Sequence, residues 1–287
     1  MNAGVAALEQ PPVSLAVDRL VFGFPGEPPM FDQLGFELRQ GEFVSLLAAS
    51  GLGKTTLFRL LSGLLPAKSG SIRIGADGMD VASAARHGRI GYMPQRDGLM
   101  PWRTVLDNAA IGLELRGAKR KDARSRVLEL LPDMGLAGTE RKYPHELSGG
   151  MRQRVSFLRS LLGGGELLLL DEPFGALDAM TRASMQEWLL QSWEQHRKTV
   201  LFITHDVDEA LLLSDRVLVA AQSPIAAFEA FDVPLSRPRR QALVMEPSFV
   251  ALKKQLLRLY DHSAQAHLAE HDEPAPGSAP HKEATLR

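Results

Sequence analysis

From Ser14 to Phe24, and again from Phe31 to Arg39, apolar and polar residues alternate roughly, the pattern of half-buried strands. The run EFVSLLA at 42–48 is instead almost continuously apolar, as in a strand covered on both faces of an α/β sheet. It leads into a glycine-containing loop and the helical stretch TTLFRLLSGLL. Further strands are predicted at 70–75, 89–93, 167–170, 199–204 and 216–221. Between about 98 and 160 the period turns helical. Ala123, Val127, Leu130, Leu131 and Met134 share one helix face, which Pro132 should kink or end. Met185, Trp188, Leu189 and Trp193 mark another helix, and Phe249, Leu252, Leu256 and Tyr260 a last one. Strands alternating with helices predict an α/β fold with a mainly parallel sheet between helical layers, into which 98–160 is inserted. The expected organisation is a flexible arm over 1–12, one domain over 13–235, an extension with a short helix over 236–262, and a disordered tail over 263–287.

Composition narrows what such a domain does. The 287 residues are 45% hydrophobic and 23% charged, which is globular material. Lysine and arginine total 33 against 34 acids, so the chain lacks the basic excess of a protein that holds nucleic acid by its phosphates. The absence of cysteine excludes disulfide scaffolds, Cys-ligated zinc and thiol catalysis. MNAGVAALEQPP has no charged segment followed by an apolar one, so no secretion signal is expected. No apolar run approaches the roughly 18–20 residues of a membrane helix. The chain is expected in the cytoplasm, reaching a membrane only through partners.

Two motifs carry candidate chemistry on their own spacing. AASGLGKTT at 48–56 lies between a buried strand and a helix, the context of a phosphate-binding loop. Gly51 and Gly53 let the backbone point its N–H groups inward, Lys54 can reach β- and γ-phosphates, and Thr55 can place its hydroxyl on Mg²⁺. The usual first glycine of this pattern is Ala48, and an ordinary glycine-rich turn is the alternative. LLLLDEP at 167–173 is an apolar strand ending in two acids, at the sheet edge where doubly wound proteins keep their ligands. Asp171 would hold Mg²⁺ and Glu172 would polarise a water; a simple strand cap would look the same.

A third motif, LSGGMRQR at 147–154, lies between these two. Together with Gln95 in YMPQ, FGALD at 174–178 and THD at 204–206, it makes the chain resemble the ATP-binding subunits of ABC transporters over about residues 14–235. The resemblance implies a P-loop NTPase fold: a RecA-like core with a mainly parallel sheet, an N-terminal antiparallel β subdomain and an inserted helical subdomain. It implies ATP and Mg²⁺, with hydrolysis coupled to transport. Ser50, Gly51, Leu52, Gly53, Lys54, Thr55 and Thr56 would surround the phosphates, and Thr55, Gln95 and Asp171 the metal. Two copies would bind head to tail, with Ser148, Gly149 and Gly150 of one facing the nucleotide of the other. Asp178 would couple the two sites, and His205 would bond the γ-phosphate beside Glu172. An aromatic ring stacks on adenine in such proteins; Phe24 is the candidate and Phe22 the alternative.

A single phosphate loop and signature, with no fused membrane segment, favour an importer subunit over a soluble ABC ATPase acting on ribosomes or DNA. The implied partners are a second copy, two integral membrane permease subunits at the cytoplasmic face of the cell membrane and, indirectly, a solute-binding protein; nucleic acid is not among them. GLMPWRTVLDNAAIGLEL at 98–115, PLSRPR at 234–239 and the short extension after Leu235 resemble nitrate, taurine and alkanesulfonate importers, and relatives importing a pyrimidine precursor of thiamine. Met100, Pro101 and Trp102 would meet the membrane partner, unless Trp102 packs within the helical insertion. SRPRR at 236–240 reads as a solvated loop or a contact with anionic lipid. His262, His267 and His271 belong to a polar tail, or to a metal site at helical spacing.

Overall fold

The computed structural model describes residues 11–49, 51–75, 86, 88–165, 167–175, 177–220 and 222–271, with side chains as far as 262. Residues 1–10 of the arm expected over 1–12, and the side chains of His267 and His271, fall outside that description. Val13–Phe22 (β1) and Phe31–Arg39 (β2) pair antiparallel. Phe43–Ala48 (β3), buried at every position, enters the phosphate loop and then helix Lys54–Leu61 (α1). Ser69–Ile74 (β4) returns to pair with β1, closing a three-stranded antiparallel sheet in the order β2-β1-β4.

The second sheet is built from β3 with Ile90–Met93 (β5), Leu167–Asp171 (β6), Thr199–Thr204 (β7), Arg216–Ala220 (β8) and Glu229–Asp232 (β9). Its order is β5-β6-β7-β3-β8-β9, with every neighbour parallel except β9 on β8. Among the described residues, β9 is the one strand that the hydrophobic pattern does not predict. It is an edge strand with three exposed positions, so it lacks the apolar run that marks the buried strands. Register decides where chemistry can sit. Leu47 pairs with Thr204 and Asp171 with Ile203, so β3, β6 and β7 end side by side.

The insertion carries Val105–Leu115 (α2), Arg120–Leu130 (α3) and Gly149–Gly163 (α4). Pro132 acts as expected: α3 stops at Leu130, while Leu131 and Met134 stay buried in the following turn. Ala179–His196 (α5) and Val207–Leu213 (α6) flank β7. Trp188 on α5 meets Phe157 of α4 edge to face at 4.9 Å.

The last helix, Pro247–His271 (α7), is longer than expected and runs past 262. Phe249 and Leu256 bury its inner face, and Lys253 Nζ lies 2.8 Å from Asp208 on α6. The basic stretch before it is neither a solvated loop nor a lipid contact at two of its three arginines. Arg239 is buried and donates to the carbonyls of Leu211, Ser214 and Leu235. Arg237 bonds Asp215 at 2.9 Å and stacks 4.1 Å from the Trp193 ring. Both satisfy carbonyls or a charge left at the end of α6, a task invisible in the local sequence.

Candidate active site

The phosphate loop is shaped by two glycines in left-handed conformations, Gly51 at φ 89° and Gly53 at φ 83°. A Cβ on Gly53 would also sit 2.1 Å from Met30 Sδ and 3.3 Å from Phe31 Cζ, so the Met30 side chain would have to move. Ala48, where glycine is usual, closes β3 in register with Ala220 and has no positive φ, so alanine introduces no strain. Leu52 packs on the core, Thr55 and Thr56 occupy the first turn of α1, and Ser50 lies outside the described residues. No side chain caps α1, which leaves its first N–H groups for an anion. Lys54 is buried, with Nζ donating to the carbonyls of Ala48 at 2.7 Å and Ala49 at 3.2 Å.

Asp171 is buried at the end of β6, with Tyr92 Oη 3.5 Å from its Oδ2. Burial pushes its carboxyl up; the hydrogen bond from Thr55 works against that, and the Glu172 charge with it. Burial, then the Asp171 charge, raises the Tyr92 phenol to about 12. Glu172 adopts φ 44°, a left-handed conformation rare for a residue with a Cβ. Its N–H donates to Ile203 O at 3.0 Å and its carbonyl accepts from Gly175 at 3.2 Å, so backbone bonds hold the strained turn. Three groups converge on its carboxylate: Gln95 Nε2 at 3.1 Å, His205 Nδ1 at 3.5 Å and Lys54 Nζ at 3.7 Å. Residues from the ends of β3, β5, β6 and β7 thus meet at one sheet edge. The donor set fits a polyphosphate with a hard divalent cation: loop N–H groups and a lysine for the anion, hydroxyl and carboxylate oxygens for the metal.

Ser148, Gly149, Gly150 and Asp178 lie apart from this cluster. Ser148 caps α4 by accepting from Met151 N–H, and Asp178 caps α5 by accepting from Thr181 N–H at 3.1 Å. The two helix starts touch, for a Cβ on Gly150 would lie 2.8 Å from Thr181 Cγ2. Phe22 is buried in the core, while Phe24 meets it edge-on at 5.2 Å and keeps part of its ring exposed.

The family model for the ABC transporter matches residues 31–175. The formylaminopyrimidine import ATP-binding protein ThiZ of Halalkalibacterium halodurans is 41% identical over 85% of this chain and 95% of its own length. The taurine import ATP-binding proteins TauB of Rhizobium johnstonii and Escherichia coli K12 are 39% and 38% identical, over 82% and 85% of this chain and 89% and 95% of their own lengths. The chain belongs to the ABC transporter family. Its fold is that of the ATP-binding cassettes. A dimeric structure of the cassette MJ0796 bound to ADP and Pi, 26% identical, aligns with TM-score 0.65 over 77% of this chain and 100% of that one.

Several residues that organise the cassette escaped the motif reading. The turn after Gln95 is stapled to α4 by three side chains. Arg152 Nε bonds Asp97 Oδ2 at 3.1 Å, Ser156 Oγ donates to Asp97 O at 2.8 Å, and Arg159 donates to Asp97 O and Gly98 O. Asn108, fully buried, accepts from Met100 N–H at 2.8 Å and donates to Arg103 O at 2.9 Å. It thereby fixes the loop on which Trp102 is 74% exposed, so this tryptophan does not pack within the insertion. A groove of about 970 Å³ runs between β5, the last turns of α2 and α4, lined by Leu64, Tyr92, Pro94, Ile111, Leu115 and Arg116, among others. Arg152, Ser156 and Arg159 carry no local signal beyond nearness to the signature, since their partners lie 55 to 62 residues away, whereas Asn108 acts within the insertion.

Proposed function

We propose that this chain is the ATP-hydrolysing subunit of an ABC importer, working as a head-to-tail pair on two membrane permease subunits at the cytoplasmic face of the cell membrane. The convergence of Lys54, Gln95 and His205 on Glu172 is the observation that carries this reading. The loop N–H groups and Lys54 bind the phosphates, and Phe24 stacks on adenine. Thr55, Asp171 and Gln95 would hold Mg²⁺, which supplies charge neutralisation on the phosphate oxygens. Glu172 accepts a proton from, and orients, the attacking water. His205 donates to the γ-phosphate. Ser148, Gly149 and Gly150 at the N-terminus of α4 present N–H groups and a favourable dipole to the nucleotide held by the second copy, with Asp178 between the two sites.

The exposed Trp102 on the loop after Gln95, and the groove that Pro94 lines just before it, support a permease contact near Gln95, so that membrane subunit and nucleotide bear on one turn. A solute-binding protein would act indirectly, by delivering solute to the permease. The solute we infer is a small polar one of the taurine, sulfonate or nitrate type, in line with the 38–39% identical taurine import proteins. A thiamine pyrimidine precursor is the second reading, favoured by the 41% identical formylaminopyrimidine import protein.

A strain lacking this chain is expected to fail on low taurine, alkanesulfonate or nitrate as sole sulfur or nitrogen source. Wild-type protein should restore growth, and Lys54→Ala should not. A requirement only for thiamine precursor would select the second reading. Normal uptake of all these compounds, with lost efflux or ribosome function, would overturn the importer.

A further inference from the structure

We propose that Glu209 is a positioning residue for His205, gripping the turn that carries the imidazole and tying it to α5. The inference rests on the reading of His205 as the γ-phosphate ligand. The His205 side chain is 61% exposed and touches Glu172 at 3.5 Å, so packing does little to fix it. Its place is set by the backbone on either side. Thr204 Oγ1 accepts from Asp206 N–H at 3.0 Å and donates to Glu209 Oε2 at 2.6 Å, bracketing His205. Asp206 Oδ1 in turn accepts from the N–H groups of Asp208 and Glu209 at 2.8 and 3.2 Å. The second carboxylate oxygen, Glu209 Oε1, accepts from Gln186 Nε2 of α5 at 2.9 Å.

Thr204, Glu209 and Gln186 are all buried. Burial pushes the Glu209 carboxyl up, against the hydrogen bonds of Thr204 and Gln186. Fold alone does not call for a buried acid here: Ala210 to Leu213, the next residues of α6, are apolar and equally buried. What the carboxylate adds is two acceptor oxygens that reach two donors at once. One is on the His205 turn; the other is on the helix that begins at Asp178. The chain of bonds Gln186–Glu209–Thr204 therefore ties α5, the helix capped by Asp178, to the turn that carries His205.

The test compares Glu209→Ala, Glu209→Gln, Thr204→Val, His205→Ala and the double variant in the full chain. Steady-state ATPase kinetics are read alongside affinity for a fluorescent ATP analogue. Glu209→Ala and Thr204→Val are expected to lower kcat by about tenfold or more, with analogue affinity held within about twofold. Glu209→Gln keeps the reach to both partners, its amide oxygen accepting from Thr204 and its nitrogen donating to Gln186 Oε1 once that amide turns over, and should recover kcat to within about threefold of wild type. Adding Glu209→Ala to His205→Ala should cost nothing further, because the two act as a unit. Wild-type kcat in Glu209→Ala or Thr204→Val, a Glu209→Gln variant no better than alanine, or a fully additive double variant would overturn the inference. If His205→Ala alone keeps wild-type kcat, the reading of His205 fails instead.

Discussion

Glu172 occupies a backbone conformation that costs an L-residue about 1–2 kcal/mol, and two backbone hydrogen bonds offset that strain. The φ of 44° turns the chain sharply after the buried Asp171, so consecutive acids at one strand end face different tasks. Asp171 is enclosed, with Tyr92 and Thr55 on its carboxylate. Glu172 projects into the cluster of Lys54, Gln95 and His205. Glu172→Gln keeps the size and the bond to Gln95 but removes the base. Turnover is expected to fall by about 100-fold or more while ATP binding persists, and ATP should trap a closed dimer visible by size-exclusion chromatography. Near-normal hydrolysis would remove Glu172 from water activation.

At the scale of elements, α2 and α3 are joined by charge as well as by packing. Arg124 donates to Asp107 Oδ1 from both Nε at 2.9 Å and Nη2 at 2.6 Å, and Arg120 lies 3.5 Å from Oδ2. Burial alone would raise the Asp107 carboxyl; the bonds and charges of Arg124 and Arg120 outweigh it and hold it below its ordinary value. An acid whose pKa is depressed by folding stabilises the fold above its unfolded value, and loses that contribution as pH falls through the folded value. The α2–α3 pair should therefore lose hydrogen-exchange protection in the range below about pH 4, earlier than β3, β6 and β7. Asp107→Asn should show reduced protection there at neutral pH and little further change on acidification. Equal acid sensitivity in wild type and variant would dismiss the pair as a source of stability.

At the scale of the molecule, Trp102 is exposed on the loop that follows Gln95, and Pro94 and Arg159 line the groove between β5, α2 and α4. Arg152, Ser156 and Arg159 bind the turn after Gln95 to α4, the helix that begins with the signature residues. A partner pressing on the groove would thus move Gln95 and the start of α4 together. Trp102→Ala should leave ATP binding by the isolated chain at the wild-type level and reduce co-purification with the membrane subunits several-fold. Wild-type yield of the complex would count against this contact.

The strands β3, β6 and β7 and the three motifs were legible in the amino-acid sequence because each is local: a buried strand is an apolar run, and a phosphate loop is glycine geometry followed by a helix. Pro132 likewise ended α3 by its own covalent constraint. From the sequence, Phe24 is the candidate for the adenine-stacking ring and Phe22 the alternative. Tertiary packing separates the two rings by burying Phe22 in the core and leaving Phe24 partly exposed. What tertiary structure alone decides is which distant groups share a site and which charges turn inward. Arg237 and Arg239 look like a surface patch in sequence, yet they serve carbonyls at the end of α6. Glu209 is one acid among many until β7, α5 and α6 close around it. Hydrogen bonds and burial across more than twenty residues leave no periodic trace in the chain, so only the folded arrangement supplies them.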